Sequence, residues 1–233
     1  MRLYAIPYAG GFSFTYLRWK RLLDRRIELF PVEFPGRGSR SEESLCYSIE
    51  DMAASVIDQL DTKDDEYTLF GHSMGAYVLL ELYRQIRVAK QPPPKHIVIS
   101  AMRPPHLYQC RGYHYLDDTS FHSKTIEMGG IPPGIMEDPS FSAYVFDLLR
   151  NDFRAVEQYV SAAKPPFITS KVSLFNSEFD IPRDQMMEWN HYILGEGRYH
   201  SFEGTHFFIN EQIDEIVSTL NRILVGSQHL IKL

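Results

Sequence analysis

Cysteine is nearly absent from the chain: of 233 residues only Cys46 and Cys110 are cysteines, and they form no Cys-x-x-Cys pair. A disulfide framework is excluded on that count, and both thiols are expected to be buried or idle. No apolar run approaches the ~20 residues of a membrane helix, so no membrane partner is expected. Met1-Arg2-Leu3 leads directly into Tyr4-Ala5-Ile6 and Pro7, too short and too broken for a signal peptide, and the expected compartment is the cytoplasm. A large charge of either sign is missing too. The formal net charge of -6 argues against nucleic acid as a partner. No His-Glu-x-x-His or cysteine–histidine cluster points to a metal, and no glycine-rich phosphate loop points to a nucleotide, so no bound cofactor is expected.

What remains is ordinary for a soluble globular chain: 44% hydrophobic and 23% charged residues. A chain of this length reads as one domain, 1–233, burying about 70% or more of its unfolded surface. Residues 3–6 read as a buried strand entering Pro7-Tyr8-Ala9-Gly10-Gly11. Ser13 can cap a helix to about Leu23, with Phe14, Leu17 and Leu22 on one side. A second strand spans 28–34 and stops at Pro35-Gly36-Arg37-Gly38. Ser48, with Asp51 three residues on, caps a helix whose stripe is Ile49, Met52, Ala53, Val56, Ile57 and Leu60. Strands at 67–70 and 96–101 flank a helical run at 76–87. From about 104 to 166 no strand is convincing, and Phe141, Tyr144, Leu148, Leu149, Phe153, Val156 and Tyr159 recur at helical spacing, predicting a mainly helical insertion. Strands resume at 172–175 and 199–202, and a last helix carries Ile209, Ile213, Ile216, Val217, Leu220 and Leu224. Alternating strands and helices imply an α/β fold: a mostly parallel sheet with helices on both faces.

Gly71-His72-Ser73-Met74-Gly75 lies between a strand and a helix, the setting of a nucleophile elbow. A serine hydroxyl is a weak nucleophile and needs an adjacent base, an acid to orient that base, and two donors for the oxyanion. In an α/β-hydrolase sheet the order is Ser, then Asp or Glu, then His, each past a strand. His206 alone of the nine histidines sits in a Gly-Thr-His loop between the last strand and the last helix. Asp180 lies beyond the preceding strand, just before Ile181-Pro182; Glu178 on the same loop and Asp184 close behind are the alternatives. The oxyanion donors are expected to be the backbone amide of Met74 and one from the loop after the first strand, Ala9 first and Gly10 next. His72 precedes the serine on a rigid turn and reads as structural. Phe12, Phe14, Tyr16 and Trp19 are divided between a pocket mouth and the core.

With Pro7-Tyr8-Ala9-Gly10-Gly11, the elbow and Gly204-Thr205-His206-Phe207-Phe208 together, the chain resembles the type II thioesterases, the stand-alone editing enzymes of nonribosomal peptide and polyketide assembly. Phe34-Pro35-Gly36-Arg37-Gly38 resembles the family's segment after its second strand, 99–106 its strand running into the lid, and Gly129-Gly130-Ile131-Pro132 and Arg150-Asn151-Asp152-Phe153 its lid signatures. The resemblance implies an α/β-hydrolase fold with a helical lid over about 104–166. It also implies a Ser73–Asp180–His206 triad and hydrolysis of acyl groups from the phosphopantetheine arm of acyl carrier or peptidyl carrier domains by a monomer. A general carboxylesterase or a fatty-acyl-carrier thioesterase on the same fold is the first alternative; a catalytically silent binding module is the second. Ser39-Arg40 departs from the aspartate-arginine common there.

Overall fold

The computed structural model describes residues 1–61, 66–131 and 133–226. Six strands, β1 (Arg2–Ile6), β2 (Glu28–Pro31), β3 (Tyr67–His72), β4 (His96–Ser100), β5 (Lys171–Ser177) and β6 (Arg198–Phe202), form one sheet in the order β2-β1-β3-β4-β5-β6. Every neighbouring pair is parallel. Parallel strands need crossover connections, and helices supply most of them: α1 (Ile49–Ile57) and α2 (Met74–Val88) before and after β3, α3 (Asp118–Met128) and α4 (Pro139–Gln158) between β4 and β5, then α5 (Arg183–Met187), α6 (Phe208–Glu211) and α7 (Ile213–Val225).

Alternation along the strands divides the core in two. Tyr4 and Ile6 of β1 and Tyr67 and Leu69 of β3 point to the side covered by α1 and α2. Leu3, Ala5 and Phe70 point to the other, where Tyr16, Trp19 and the apolar stripe of α7 pack. A third cluster, Phe121, Phe146 and Leu149, holds α3 against α4 within the stretch 104–166, where no strand occurs among the described residues.

Several local expectations change. The segment Ser13–Arg21 is a 3₁₀ helix whose three-residue spacing buries Tyr16 and Trp19, leaving Phe14, Leu17 and Leu22 exposed. Ser13 does not cap it; its hydroxyl donates to Glu33 at 2.7 Å. β2 ends at Pro31 rather than at 34, although the Val32 amide still donates to the Ala5 carbonyl at 2.9 Å. α1 ends at Ile57, although Leu60 beyond it still packs against the same core, and the last helix breaks at Gln212. Ser48 does cap α1, accepting from the Asp51 amide at 3.0 Å. Neither thiol is deeply buried: Cys46 is half-buried and Cys110 exposed, both free.

The chain runs from β1 outward to β2 and then back across to β3. The sequential connections therefore diverge at the carboxyl ends of β1 and β3, where open α/β sheets have a crevice. The Pro7–Gly11 loop and Ser73 both emerge there.

Candidate active site

The elbow comes first from its glycines. A Cβ on Gly71 would lie 2.2 Å from the Gly75 carbonyl oxygen, and one on Gly75 would lie 2.4 Å from the Ile6 oxygen and 2.8 Å from that of Pro7. Only hydrogen fits at either place, so strand, turn and helix close into a hairpin too tight for side chains. The turn forces Ser73 to φ 54, ψ −121, a costly conformation for a residue with a Cβ. Its amide donates to the Ser100 carbonyl at 2.8 Å, which ties the turn to the end of β4. Met74 is the first residue of α2, so its N–H has no partner within the helix and lies at the positive end of the helix dipole.

His206 is held by both its ring and its carbonyl. His206 Nδ1 donates to Asp180 Oδ2 at 2.7 Å, leaving Nε2 as the free ring nitrogen. Glu178 instead accepts from the Ser201 hydroxyl, and Asp184 lies in α5, so the loop after β5 presents Asp180 to the imidazole. The Ser177 hydroxyl donates to the Gly204 carbonyl, joining the acid's loop to the base's loop. Glu211 of α6 accepts from the amide and hydroxyl of Thr205, and a Cβ on Gly204 would collide with that carboxylate. Beneath the base, fully buried His72 donates from Nε2 to the His206 carbonyl and accepts at Nδ1 from the Ser100 hydroxyl. The carbonyl can only accept, which fixes that tautomer. Burial, reinforced by nearby His206, holds the His72 pKa well below its usual value and keeps the ring neutral. His72 is thus structural as expected, in direct support of the base. No hydrogen bond joins Ser73 Oγ to His206 among the described residues; such bonds are often long in substrate-free sites.

In the loop after β1, Gly11 N–H bonds the Tyr8 carbonyl at 2.8 Å, and Gly10 has φ +73. A positive φ at the third position makes this a type II turn with Ala9 second. The Gly10 amide donates to Asp152 Oδ2 at 2.8 Å and is occupied.

Ser73, Met74, Ala9, Asp180 and His206 line one cavity of about 500 Å³. Much of its lining comes from 104–166, with apolar Met128, Ile135, Val145 and Leu149 beside polar Gln109, Arg111 and Thr125. Phe12 and Phe14 stack at 5.1 Å and line it, whereas Tyr16 and Trp19 lie in the core. Gly130 comes so close to Phe207 that a Cβ would lie 2.2 Å from the ring, so the glycine pair of the lid seats against the residue after the base. Among the described residues no cluster of three or more His, Cys, Asp or Glu could hold a metal.

Sequence reading missed Ser100, Ser177 and Glu211. Each acts through contacts distant in the chain or across a loop, and none stands in a motif that announces it.

The fold and this arrangement define an α/β-hydrolase with a lid. A family described as "Thioesterase domain" matches residues 1–224, and the chain belongs to that family. It is 28% identical over 225 residues to Thioesterase PikA5 of Streptomyces venezuelae, covering 95% of this chain and 80% of that protein. Among solved structures it is similar to ClbQ from the colibactin nonribosomal peptide and polyketide pathway, with a TM-score of 0.88, 27% identity and 97% of each chain covered. It is also similar to YbtT, described as a type II thioesterase of the yersiniabactin pathway, with a TM-score of 0.82, 27% identity, and 95% and 91% covered.

Proposed function

We propose that this protein is a type II thioesterase that clears aberrant or stalled acyl groups from the phosphopantetheine arm of carrier domains. The observation that carries the reading is the Asp180–His206 pair beside an elbow serine, at the base of a lidded apolar cavity. The pathway relatives add the carrier-bound substrate.

In this reading Ser73 Oγ attacks the thioester carbonyl as His206 Nε2 takes its proton. Asp180 holds the imidazole in the correct tautomer and stabilises its cation. The amides of Ala9 and Met74 bind the oxyanion; losing one such donor typically costs about 3–4 kcal/mol of transition-state stabilisation. His206 returns the proton to the leaving thiol. Water, deprotonated by His206, then cleaves the acyl–Ser73 ester and releases the carboxylic acid. The arm reaches the serine while the carrier domain stays outside, so the phosphopantetheine belongs to the partner and the enzyme binds no cofactor of its own. The protein works as a monomer in the cytoplasm, with the synthetases that it serves.

Ser73→Ala is expected to abolish hydrolysis of acyl-carrier thioesters with an unchanged circular-dichroism spectrum. Wild-type turnover by that variant would overturn the mechanism. A clear kinetic preference for nitrophenyl esters over acyl-carrier protein would overturn the editing role in favour of a general esterase.

A further inference from the structure

Two sequence signatures remain outside this mechanism: Arg37 in Phe34-Pro35-Gly36-Arg37-Gly38, and the Arg150-Asn151-Asp152 run of α4. They meet in the interior. Arg37 and Asp152 form a bidentate ion pair at 2.8 Å on both arms, with side chains 1% and 0% exposed. Burying two full charges is expensive, and such pairs are weak evidence of stabilisation. What they touch is more informative. Asp152 Oδ2, already bonded to Arg37, also accepts the Gly10 amide at 2.8 Å, and Arg37 donates to the Gly11 carbonyl at 3.2 Å. Both charges therefore grip the turn that presents Ala9. Leu149, one helical turn before Asp152, packs against Gly10 so closely that a Cβ there would lie 2.8 Å from its methyl.

The middle peptide of a type II turn, Ala9–Gly10 here, is the one that flips when such a turn converts to type I. Asp152 holds the N–H of that peptide and with it the ψ of Ala9; the Ala9 N–H itself belongs to the preceding Tyr8–Ala9 peptide, so the carboxylate acts on it by fixing where the turn sits. The neighbouring residues of α4 anchor the helix in two more directions: Arg150 donates to the His114 and Leu116 carbonyls, and Asn151 donates to the Cys46 carbonyl at 2.7 Å.

We infer that Arg37 and Asp152 are positioning residues that lock the Ala9–Gly10 turn in its oxyanion-binding form and make that form depend on a seated α4. The inference rests on the reading of Ser73 as the nucleophile. Neither residue touches substrate; both act through the Gly10 and Gly11 backbone.

The test separates the grip from the burial. Arg37→Met with Asp152→Leu removes both charges together, a replacement that buried pairs often tolerate, and also removes the acceptor for the Gly10 amide. Arg37→Met with Asp152→Asn removes the charges and keeps an acceptor. With an acyl N-acetylcysteamine thioester as substrate, the leucine variant is expected to lose about 10- to 100-fold in kcat, with KM within about twofold of wild type. Its affinity for an alkyl boronic acid, which forms a tetrahedral adduct on serine, is expected to fall by the same factor. The asparagine variant is expected to recover part of both, the shortfall being the share of Arg37 and its bond to the Gly11 carbonyl. Wild-type kcat and boronate affinity in a folded leucine variant overturn the inference, as do equal losses in the two variants. Should the leucine variant fail to fold, Arg37→Lys carries the test, since it keeps a cation but gives up the two-armed grip. A boronate affinity weakened in step with kcat supports the lock, and unchanged values overturn it. A fluorophosphonate probe on the wild type keeps the two readings apart: no label on Ser73 ends the nucleophile reading, while a labelled Ser73 with unaffected variants ends only the lock.

Discussion

Gly75 touches the backbone of a different strand, and that contact decides what a single methyl would do. Because the atoms nearest an added Cβ are the Ile6 and Pro7 carbonyl oxygens, no side-chain rotation relieves the clash. Gly75→Ala is expected to cost about 2–4 kcal/mol in urea unfolding, since either the elbow or the end of β1 must move. Asp180→Asn keeps the size of the acid but can favour the wrong imidazole tautomer. In steady-state assays it is expected to lower kcat by about 10²–10⁴ with little change in KM. At this scale the sequence was most legible where a motif forces local geometry. Ser73 and its glycines could be placed because the elbow is short-range. Asp180 could not be separated by spacing alone from Glu178 on the same loop; the difference is that Glu178 turns to Ser201 while Asp180 turns to His206. Spacing alone could not show that the Gly10 amide is bonded, since its partner is a carboxylate 142 residues away.

Among the elements, α1 was readable because an apolar stripe and a capping residue agree, and α4 from its apolar stripe alone. Ser48→Ala removes the acceptor for the Asp51 amide and is expected to cost about 1 kcal/mol, measurable as a shift of the urea midpoint without change of slope. Because α1 packs on α2 away from the cavity, kcat should stay at the wild-type value. The 3₁₀ helix at Ser13–Arg21 was not readable as such. Its apolar residues fit either period, and only the packing of Tyr16 and Trp19 under the sheet selects the three-residue one. The lid's helical character was visible in α4, yet Phe141 and Tyr144 of its stripe are 45% and 37% exposed, and Phe141 lines the cavity rather than the core. A cavity wall and a core face share one hydrophobic pattern.

Across the whole molecule, two histidines among the described residues, His72 and His96, are buried neutral, and they set an acid limit. Burial holds His72 well below its usual pKa and lowers His96 to about 4. Below the ordinary histidine value of about 6.5 the unfolded chain takes up protons that the folded chain refuses, so stability falls as pH falls. For His96 alone the loss is about 3 kcal/mol between pH 6.5 and 4, at roughly 1.4 kcal/mol per unit. Urea unfolding at pH 7 and pH 5 should show it, and His96→Gln should flatten the slope by its share. The parallel sheet followed from alternating elements, whereas the order β2-β1-β3-β4-β5-β6 depends on pairings no local pattern encodes.

β4 and β5 lie side by side, with Ser100 opposite Phe175, although the whole of 104–166 intervenes. A graft that exchanged this stretch between relatives would meet a sheet already closed beneath it, and its helices would move as a cassette. The cassette is not self-contained, however. Asp152 reaches through its floor to Arg37 and Gly10, so a transplant that preserved every cavity-lining residue but lost that carboxylate would leave the Gly10 amide and the Arg37 guanidinium without the partner they share.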